Sequence, residues 1–282
     1  MSRLLTVFRG AGKRFSLDGC AFLAQAVAFN ALFAIFPLIT LAVAVLAFIY
    51  GDQAGQARAL ALISSLAPNV QAILVSNLRH IVAFRGISGA VALVALVWSG
   101  KNLFQGLAYA LDRALNVPHD RPLVHDILIA VVMLPILGVI FLVATALPVL
   151  VAFIVQDGGF RYAATWSQVA AQVTTLLLIL VVTVILYTFL PNRRLSPAFT
   201  LPGAIVTTVG WGIAQFAFAV YSTHVDYRHV YGALAAVAVL LLWFYYMATI
   251  FLFGAEFNAQ WFESMTGHPL GSEERIGAGH PA

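Results

Sequence analysis

Seven polar side chains interrupt stretches that are otherwise apolar enough for the interior of a membrane. A strongly polar or ionisable group at that depth is costly to bury, so it commonly marks the path of a substrate or an ion. The chemistry expected of this set is binding of a substrate, or coupling of its movement to an ion. The candidates are Gln25, Asn30, Lys101, Asn102, Tyr245, Glu256 and Asn258.

Glu256 lies in the apolar sequence FLFGAEFNAQ, and its position allows two interpretations. About 25 residues at 1.5 Å each separate it from the start of its span, which exceeds the roughly 30 Å hydrocarbon core. Glu256 is then either an acid at the inner boundary, paired with a base such as Lys101 or Arg193, or a carboxylate that couples or gates transport. Helical spacing places it on one inward-facing stripe. That stripe consists of Tyr245, Thr249, Glu256, Gln260 and Glu263.

Lys101 follows an apolar stretch, residues 87–98, that is shorter than a membrane crossing. Helical spacing puts Lys101 on one face with Gln105, Tyr109 and Asp112. Either the helix spans the membrane with Lys101 facing the bundle interior, or it reaches the surface there and continues along the cytoplasmic interface. A lysine near the end of a span usually extends its ammonium group to the interface, which favours the second alternative.

The overall composition indicates which elements hold these residues. Of 282 residues, 62% are hydrophobic and only 9% are charged, whereas soluble domains carry about 25% charged residues. Apolar runs long enough to cross a bilayer recur along the chain. They predict an all-α integral membrane protein, a bundle of about six transmembrane helices over residues 20–50, 86–108, 127–155, 167–190, 200–222 and 231–257.

The basic residues predict the orientation of this bundle. Loops rich in Lys and Arg stay in the cytoplasm, and ten of the 15 Lys and Arg residues fall on the side of the two termini. Both termini are therefore predicted to be cytoplasmic: a basic N-terminus over 1–19 and a disordered tail over 263–282 flank a membrane domain over 20–262. With this topology all the candidates except Tyr245 share the cytoplasmic half of the bundle.

The segment 51–85, between the first two spans, has apolar residues at helical spacing and a break at Pro68. This pattern predicts two amphipathic helices at the outer membrane interface. They form either a lid that only covers the bundle or a gate over a pathway, and the sequence leaves both alternatives open.

Several function classes find no support in the sequence. The seven histidines lack metal-binding spacing, and the single cysteine, Cys20, excludes an internal disulfide and a thiolate metal cage. No phosphate loop, nucleophile elbow or pair of catalytic carboxylates stands out. The net charge is +4, but the basic residues are scattered at helix ends, so nucleic acid is not an expected partner. We expect no catalytic, cofactor or metal site and no enzyme activity.

Five strings, taken in order, resemble the YihY/BrkB-like family of bacterial inner-membrane proteins. The resemblance covers about residues 15–262, and Asn30 stands where the family often has an aromatic residue. It implies six spans in a bacterial inner membrane. Family members are discussed as permeases or exporters, including of lipid-like anions, and a ribonuclease label exists for relatives, although this sequence has no catalytic cluster to match it. The strings are FNALFAIFPLITL, VWSGKNLFQGLAYALDRALNV, LYTFLPNRR, LPGAIVTTVGW and YGALAAVAVLLLWFYYMATIFLFGAEFNAQ.

Residues and resemblance together predict a multi-pass inner-membrane protein that moves or binds a substrate within the bundle. The expected partners are the lipid bilayer and a lipid-like or small anionic substrate, and no oligomeric state is predicted. The alternative is a membrane scaffold, or a factor for envelope assembly or resistance, that transports nothing.

Overall fold

The structure is a computed structural model. It describes residues 2–50, 85–117, 163–193, 195–224 and 233–268, together with positions 128, 132, 133 and 136. The described part forms helices and no strands. Its six helices are α1 (Ser2–Leu17), α2 (Cys20–Tyr50), α3 (Arg85–Ala114), α4 (Ala163–Phe189), α5 (Pro197–His224) and α6 (Ala233–Thr266).

Five of these helices, α2 to α6, are long and apolar enough to cross a membrane. The prediction of an all-α membrane bundle is therefore confirmed. The third predicted span, 127–155, is described at only four positions, and the predicted amphipathic segment 51–85 lies outside the described residues except for its last residue.

Helix α3 is one continuous helix that ends six residues beyond the predicted limit of 108. Its second half is held in place by apolar packing, because Phe104, Ala108, Leu111 and Ala114 are all buried. Lys101 therefore lies in the middle of a long helix, about 13 residues from its C-terminal end. The structure thus shows no break in the helix at Lys101.

Helix α6 also outlasts its predicted limit of 257 and continues to Thr266. The first residues assigned to the tail, from 263, are thus helical. The helix ends at Gly267, whose φ of 76° is the left-handed conformation that glycine adopts readily. The Gly267 amide donates to the Glu263 carbonyl at 2.9 Å, which closes the last turn.

Helix α1 was not predicted as a helix, since 1–19 was assigned only as a basic N-terminus. It packs mainly on α6: Val7 and Ala11 are buried with Phe257. Asp18 and Gly19 connect α1 to α2, and Gly19 has a φ of 67°. A residue with a Cβ is strained at that angle, so glycine allows the two helices to follow each other closely.

The described spans pack in the order α4, α5, α6, α2, α3, each mainly against the next. Most of the buried core lies at one end of the bundle, where α2 and α5 begin and where α3, α4 and α6 end. We call this the polar end, because the ion pairs of the described residues are located there. Away from it, many large apolar side chains of the spans are exposed, as expected of helices that face lipid.

Candidate functional site

The structure distributes the seven candidate residues over several places. Asn30 and Asn102 line one groove between α2 and α3, and Lys101 lies beside Trp98, which lines the same groove. Glu256 is enclosed at the polar end, and Asn258 connects α6 to α5. The remaining two candidates belong to neither place. The Gln25 side chain is exposed, and the half-buried Tyr245 ring packs against the Tyr246 ring, with centroids 5.8 Å apart.

The groove between α2 and α3 is an apolar cavity of about 1100 Å³. Phe29, Phe33 and Phe36 of α2 form one wall, and Val91 and Val94 of α3 form the other. All five side chains are exposed at the protein surface. On a membrane-spanning helix such a surface faces acyl chains, so the groove is accessible from the lipid phase.

Polar groups line one end of this groove. The Asn30 side-chain Nδ2 donates to the Asn102 carbonyl oxygen at 3.4 Å, a weak bond that joins α2 to α3. Ser99 and Asn102 line the groove as well. Close approach is needed here, since a Cβ at Gly106 would lie 3.1 Å from the Asn30 Nδ2.

Lys101 lies at the same end of the groove. Its Nζ is 5.4 Å from the ring centroid of Trp98, within the range of a cation–π interaction, and Trp98 itself lines the groove. Asp112 and Arg113 mark the polar end of α3. At 1.5 Å per residue, Lys101 is roughly 17 Å further along the helix.

Glu256 occupies a different environment, fully buried between helices. Its Oε1 accepts a hydrogen bond from the Cys20 thiol at 3.2 Å, and its Oε2 has no hydrogen-bond partner among the described residues. The predicted pairing with Lys101 is wrong. α6 turns Glu256 toward the first residue of α2, at the polar end, whereas Lys101 lies far from that end beside Trp98.

Two arginines at the polar end are engaged with acids other than Glu256. Arg14 of α1 forms an ion pair with Glu263, and Arg113 of α3 approaches Asp18 at 3.6 Å. These pairs tie α1 to α6 and α3 to the link before α2. Neither arginine is thus paired with Glu256.

The predicted stripe on α6 does face protein. Glu263 pairs with Arg14, and the Gln260 side chain packs so tightly on α1 that a Cβ at Gly10 would lie 2.7 Å from its Cδ. Thr249 Oγ1 is buried without a hydrogen-bond partner in the described part of the chain. The stripe is therefore the surface through which α6 meets its neighbours at the polar end.

Asn258 connects two helices whose backbones nearly touch. Its Oδ1 accepts from the Gly203 amide at 2.6 Å, and its Nδ2 donates to the Thr200 carbonyl at 3.2 Å. A Cβ at Gly203 would lie only 2.2 Å from the Gly254 carbonyl oxygen. These contacts give Asn258 a structural role at the crossing of α5 and α6.

Tyr187 and Asp112 have similar connecting roles, and neither was among the candidates. The buried Tyr187 hydroxyl lies 2.8 Å from Thr207 Oγ1 and also donates to the Phe251 carbonyl, so it joins α4, α5 and α6. Asp112 Oδ1 accepts from the Asn192 amide at 2.7 Å and holds the connection between α4 and α5. An acidic residue within an apolar helix is a sequence signal that could have pointed to Asp112. Its partner Asn192 lies 80 positions away, so the sequence could not identify the contact.

Within the described residues, no three His, Cys, Asp or Glu side chains lie together as metal ligands would. The groove presents aromatic and aliphatic walls with amide and hydroxyl groups. The Lys101 ammonium lies outside this lining, over the ring of Trp98. Such a lining suits noncovalent binding of a largely apolar molecule.

Comparison with known proteins also indicates a membrane protein. The family model described as "Virulence factor BrkB" matches residues 11–275. A Coxiella burnetii protein named UPF0761 membrane protein is 28% identical over 259 residues, which cover 86% of this chain and 88% of that protein. Ribonuclease-like protein YfkH of Bacillus subtilis is 28% identical over 209 residues, covering 71% of this chain and 76% of YfkH. No solved structure matches the chain. The extent of the family match, together with the five membrane-spanning helices, shows that this chain is a multi-pass membrane protein of the BrkB family.

Proposed function

We propose that the protein is a transporter of the bacterial inner membrane that binds a lipid-like, anionic substrate in the α2–α3 groove. The observation that carries the proposal is Lys101, an ammonium group about 17 Å from the polar end of α3 and next to a groove open to lipid. A cation at that depth is costly, and such residues commonly serve a substrate or ion path.

The two parts of the groove suit the two parts of an amphiphile. The aromatic and aliphatic walls formed by Phe29, Phe33 and Val94 favour an acyl chain, which can enter sideways from the bilayer. Lys101 offers charge to a phosphate or carboxylate group, and Asn30 and Asn102 offer hydrogen bonds beside it. A zwitterionic lipid gains less from this arrangement, so charge selectivity is expected.

We assign Glu256 to coupling rather than to substrate binding. It lies away from the groove, at the junction of α2 and α6 where α1 also packs. A buried carboxyl group whose nearby arginines are paired with other acids is suited to bind and release a cation or proton during a transport cycle. Energy for active transport then comes from an ion gradient or from a partner protein.

The test is lipid movement in proteoliposomes. Vesicles of phosphatidylcholine receive a trace of fluorescent phosphatidylglycerol or fluorescent phosphatidylcholine, and dithionite reports the label that reaches the outer leaflet. We expect faster movement of the phosphatidylglycerol probe, loss of at least about tenfold in Lys101→Ala because the ammonium is absent, and partial recovery in Lys101→Arg.

Glu256→Gln is measured in the same vesicles with an imposed proton or sodium gradient. We expect the gradient-driven component to disappear while the protein remains monodisperse by size exclusion. Arg275→Ala, which removes a positive charge from the predicted tail, serves as the control and is expected to transport normally.

Wild-type flux in both Lys101→Ala and Glu256→Gln would remove these residues from the mechanism. Absence of flux for any probe, together with a stoichiometric partner captured by crosslinking, would favour the alternative of a non-transporting membrane scaffold.

We also propose that the chain lacks enzyme activity. RNA that stays intact when incubated with the purified protein would support this proposal. Hydrolysis of the RNA would contradict it and would agree with the ribonuclease-like name of YfkH.

A further inference from the structure

Helix α1 presents three different surfaces around its circumference. Val7 and Ala11 are buried against α6. Beside them, on the next face at helical spacing, Leu4 and Phe8 remain 49% and 42% exposed. Leu5, at 57% exposed, extends this apolar surface toward the basic side. The helix is therefore only partly covered by the protein, and its uncovered side begins as an apolar surface.

The third surface of α1 is basic. Arg9 and Lys13 are one helical turn apart on the side opposite the buried face, and both are exposed. Neither makes an ion pair with any other described residue. The helix Ser2–Leu17 contains no acidic residue at all. Two free cations thus border an exposed apolar surface on a single short helix.

The helix is also firmly anchored. Arg14 pairs with Glu263, Arg3 donates to the Ser264 carbonyl, and Phe8 packs on Phe257 with ring centroids 4.8 Å apart. Only Asp18 and Gly19 separate α1 from the first membrane span. These contacts keep the apolar and basic surfaces of α1 close to the end of the spans, where the membrane surface must lie.

We propose that the exposed face of α1, formed by Leu4, Leu5, Phe8, Arg9 and Lys13, is a binding site for anionic phospholipid headgroups of the cytoplasmic leaflet. The apolar side chains enter the boundary between headgroups and acyl chains, and the two cations contact phosphates. An acidic soluble protein would satisfy Arg9 and Lys13 but would leave Leu4 and Leu5 without an apolar environment beside the membrane. The lipid surface satisfies both, and this site is independent of the transport proposed above.

The experiment uses the full-length protein with Leu5→Cys carrying an environment-sensitive fluorophore. Cys20 is fully buried and needs no replacement. The protein is reconstituted in phosphatidylcholine vesicles, with or without phosphatidylglycerol, and doxyl-labelled lipids of either headgroup serve as quenchers. We expect blue-shifted emission and stronger quenching by doxyl phosphatidylglycerol than by doxyl phosphatidylcholine.

The double variant Arg9→Gln with Lys13→Gln tests the cations. The preference for phosphatidylglycerol is expected to fall by about fivefold for each basic residue removed. The matched control, Arg228→Gln with Arg275→Gln, removes the same net charge outside α1 and is expected to keep the preference. High salt should weaken the wild-type preference in the same way, which gives a second measurement that needs no variant.

Equal quenching by the two headgroups in the wild type at low salt would overturn the proposal. Fluorophore emission typical of an aqueous environment in both vesicle types would also overturn it. That result would instead favour an acidic soluble protein as the partner of this face. Neither result depends on whether the protein moves lipid.

Discussion

Asn258 shows how a polar side chain within a span can serve the fold. Both of its hydrogen-bonding atoms are used by backbone groups of α5, and the side chain is only 3% exposed. In the absence of water, each of those backbone groups depends on a protein partner. The same chemistry that marked Asn258 as a candidate for substrate binding therefore explains it as a connector.

We expect Asn258→Ala to lower the stability of the purified protein by about 1–2 kcal/mol, because the Asn258 contacts to Gly203 and Thr200 are lost. Thermal unfolding in detergent measures this change. Gln25→Ala, which truncates an exposed polar side chain on α2, is the control and should leave the unfolding temperature unchanged. Equal unfolding temperatures for the two variants would contradict the connecting role.

Predictions at the level of single residues succeeded where they depended on the face of one helix. The stripe from Tyr245 to Glu263 was expected to face protein, and its members at the polar end do so. The partner of Glu256 was not predictable, because the thiol of Cys20 is 236 positions away and its approach depends on how α2 meets α6. Pairing by charge alone led instead to Lys101.

At the scale of elements, the crossing of α5 and α6 depends on two glycines. A Cβ at Gly254 would lie 2.0 Å from Thr207 Oγ1 and 2.6 Å from the Tyr187 hydroxyl, and a Cβ at Gly203 would meet the Gly254 carbonyl. Small residues at such positions allow helix backbones to approach closely in membranes. The hydrogen bonds of Asn258 and Tyr187 then connect helices that are already in contact.

Gly203→Ala should therefore destabilise the protein by about 1–3 kcal/mol, since the added methyl group collides with backbone that cannot rotate away. Gly12→Ala is the matched control: nothing lies within 4 Å of its Cβ position, and alanine favours the helix. Thermal unfolding of both variants measures the difference. A Gly203→Ala protein as stable as Gly12→Ala would show that α5 and α6 can separate without loss.

The elements themselves were largely predictable. Long apolar runs located α2, α4 and α5 closely, because length and hydropathy define a span without knowledge of its neighbours. The ends of α3 and α6 were placed too early, since their last turns are held by packing and ion pairs at the polar end. Helix α1 was missed, although its apolar residues Leu4, Val7, Phe8 and Ala11 recur at helical spacing.

At the scale of the whole molecule, the structure brings the expected cytoplasmic ends of the spans together. The contacts of Cys20 with Glu256, and of Asp112 with Asn192, join residues that the predicted topology had placed on one side. The sequence assigns that side to the cytoplasm through its basic residues, and this assignment stays a prediction. It could not show that the groove and Glu256 are two distinct sites, because the predicted topology placed the residues of both in the same half of the bundle.

Cysteine labelling in membrane vesicles checks this orientation. We expect Lys13→Cys, exposed on α1, to react with a membrane-impermeant maleimide in inside-out vesicles and not in right-side-out vesicles. Gly86→Cys, exposed at the opposite end of α3, is expected to show the reverse pattern. The native Cys20 is enclosed and should remain unlabelled in both. Labelling of both variants from the same side would exclude the predicted topology.

The glycine crossing has a mechanical consequence. Because α5 and α6 meet backbone to backbone and are bonded through Asn258, we expect them to move together as one rigid body. The groove lies entirely between α2 and α3, so its shape depends on the positions of these two helices. If the protein moves a substrate as proposed, we therefore expect α2 and α3 to slide or rock along the surface of α6.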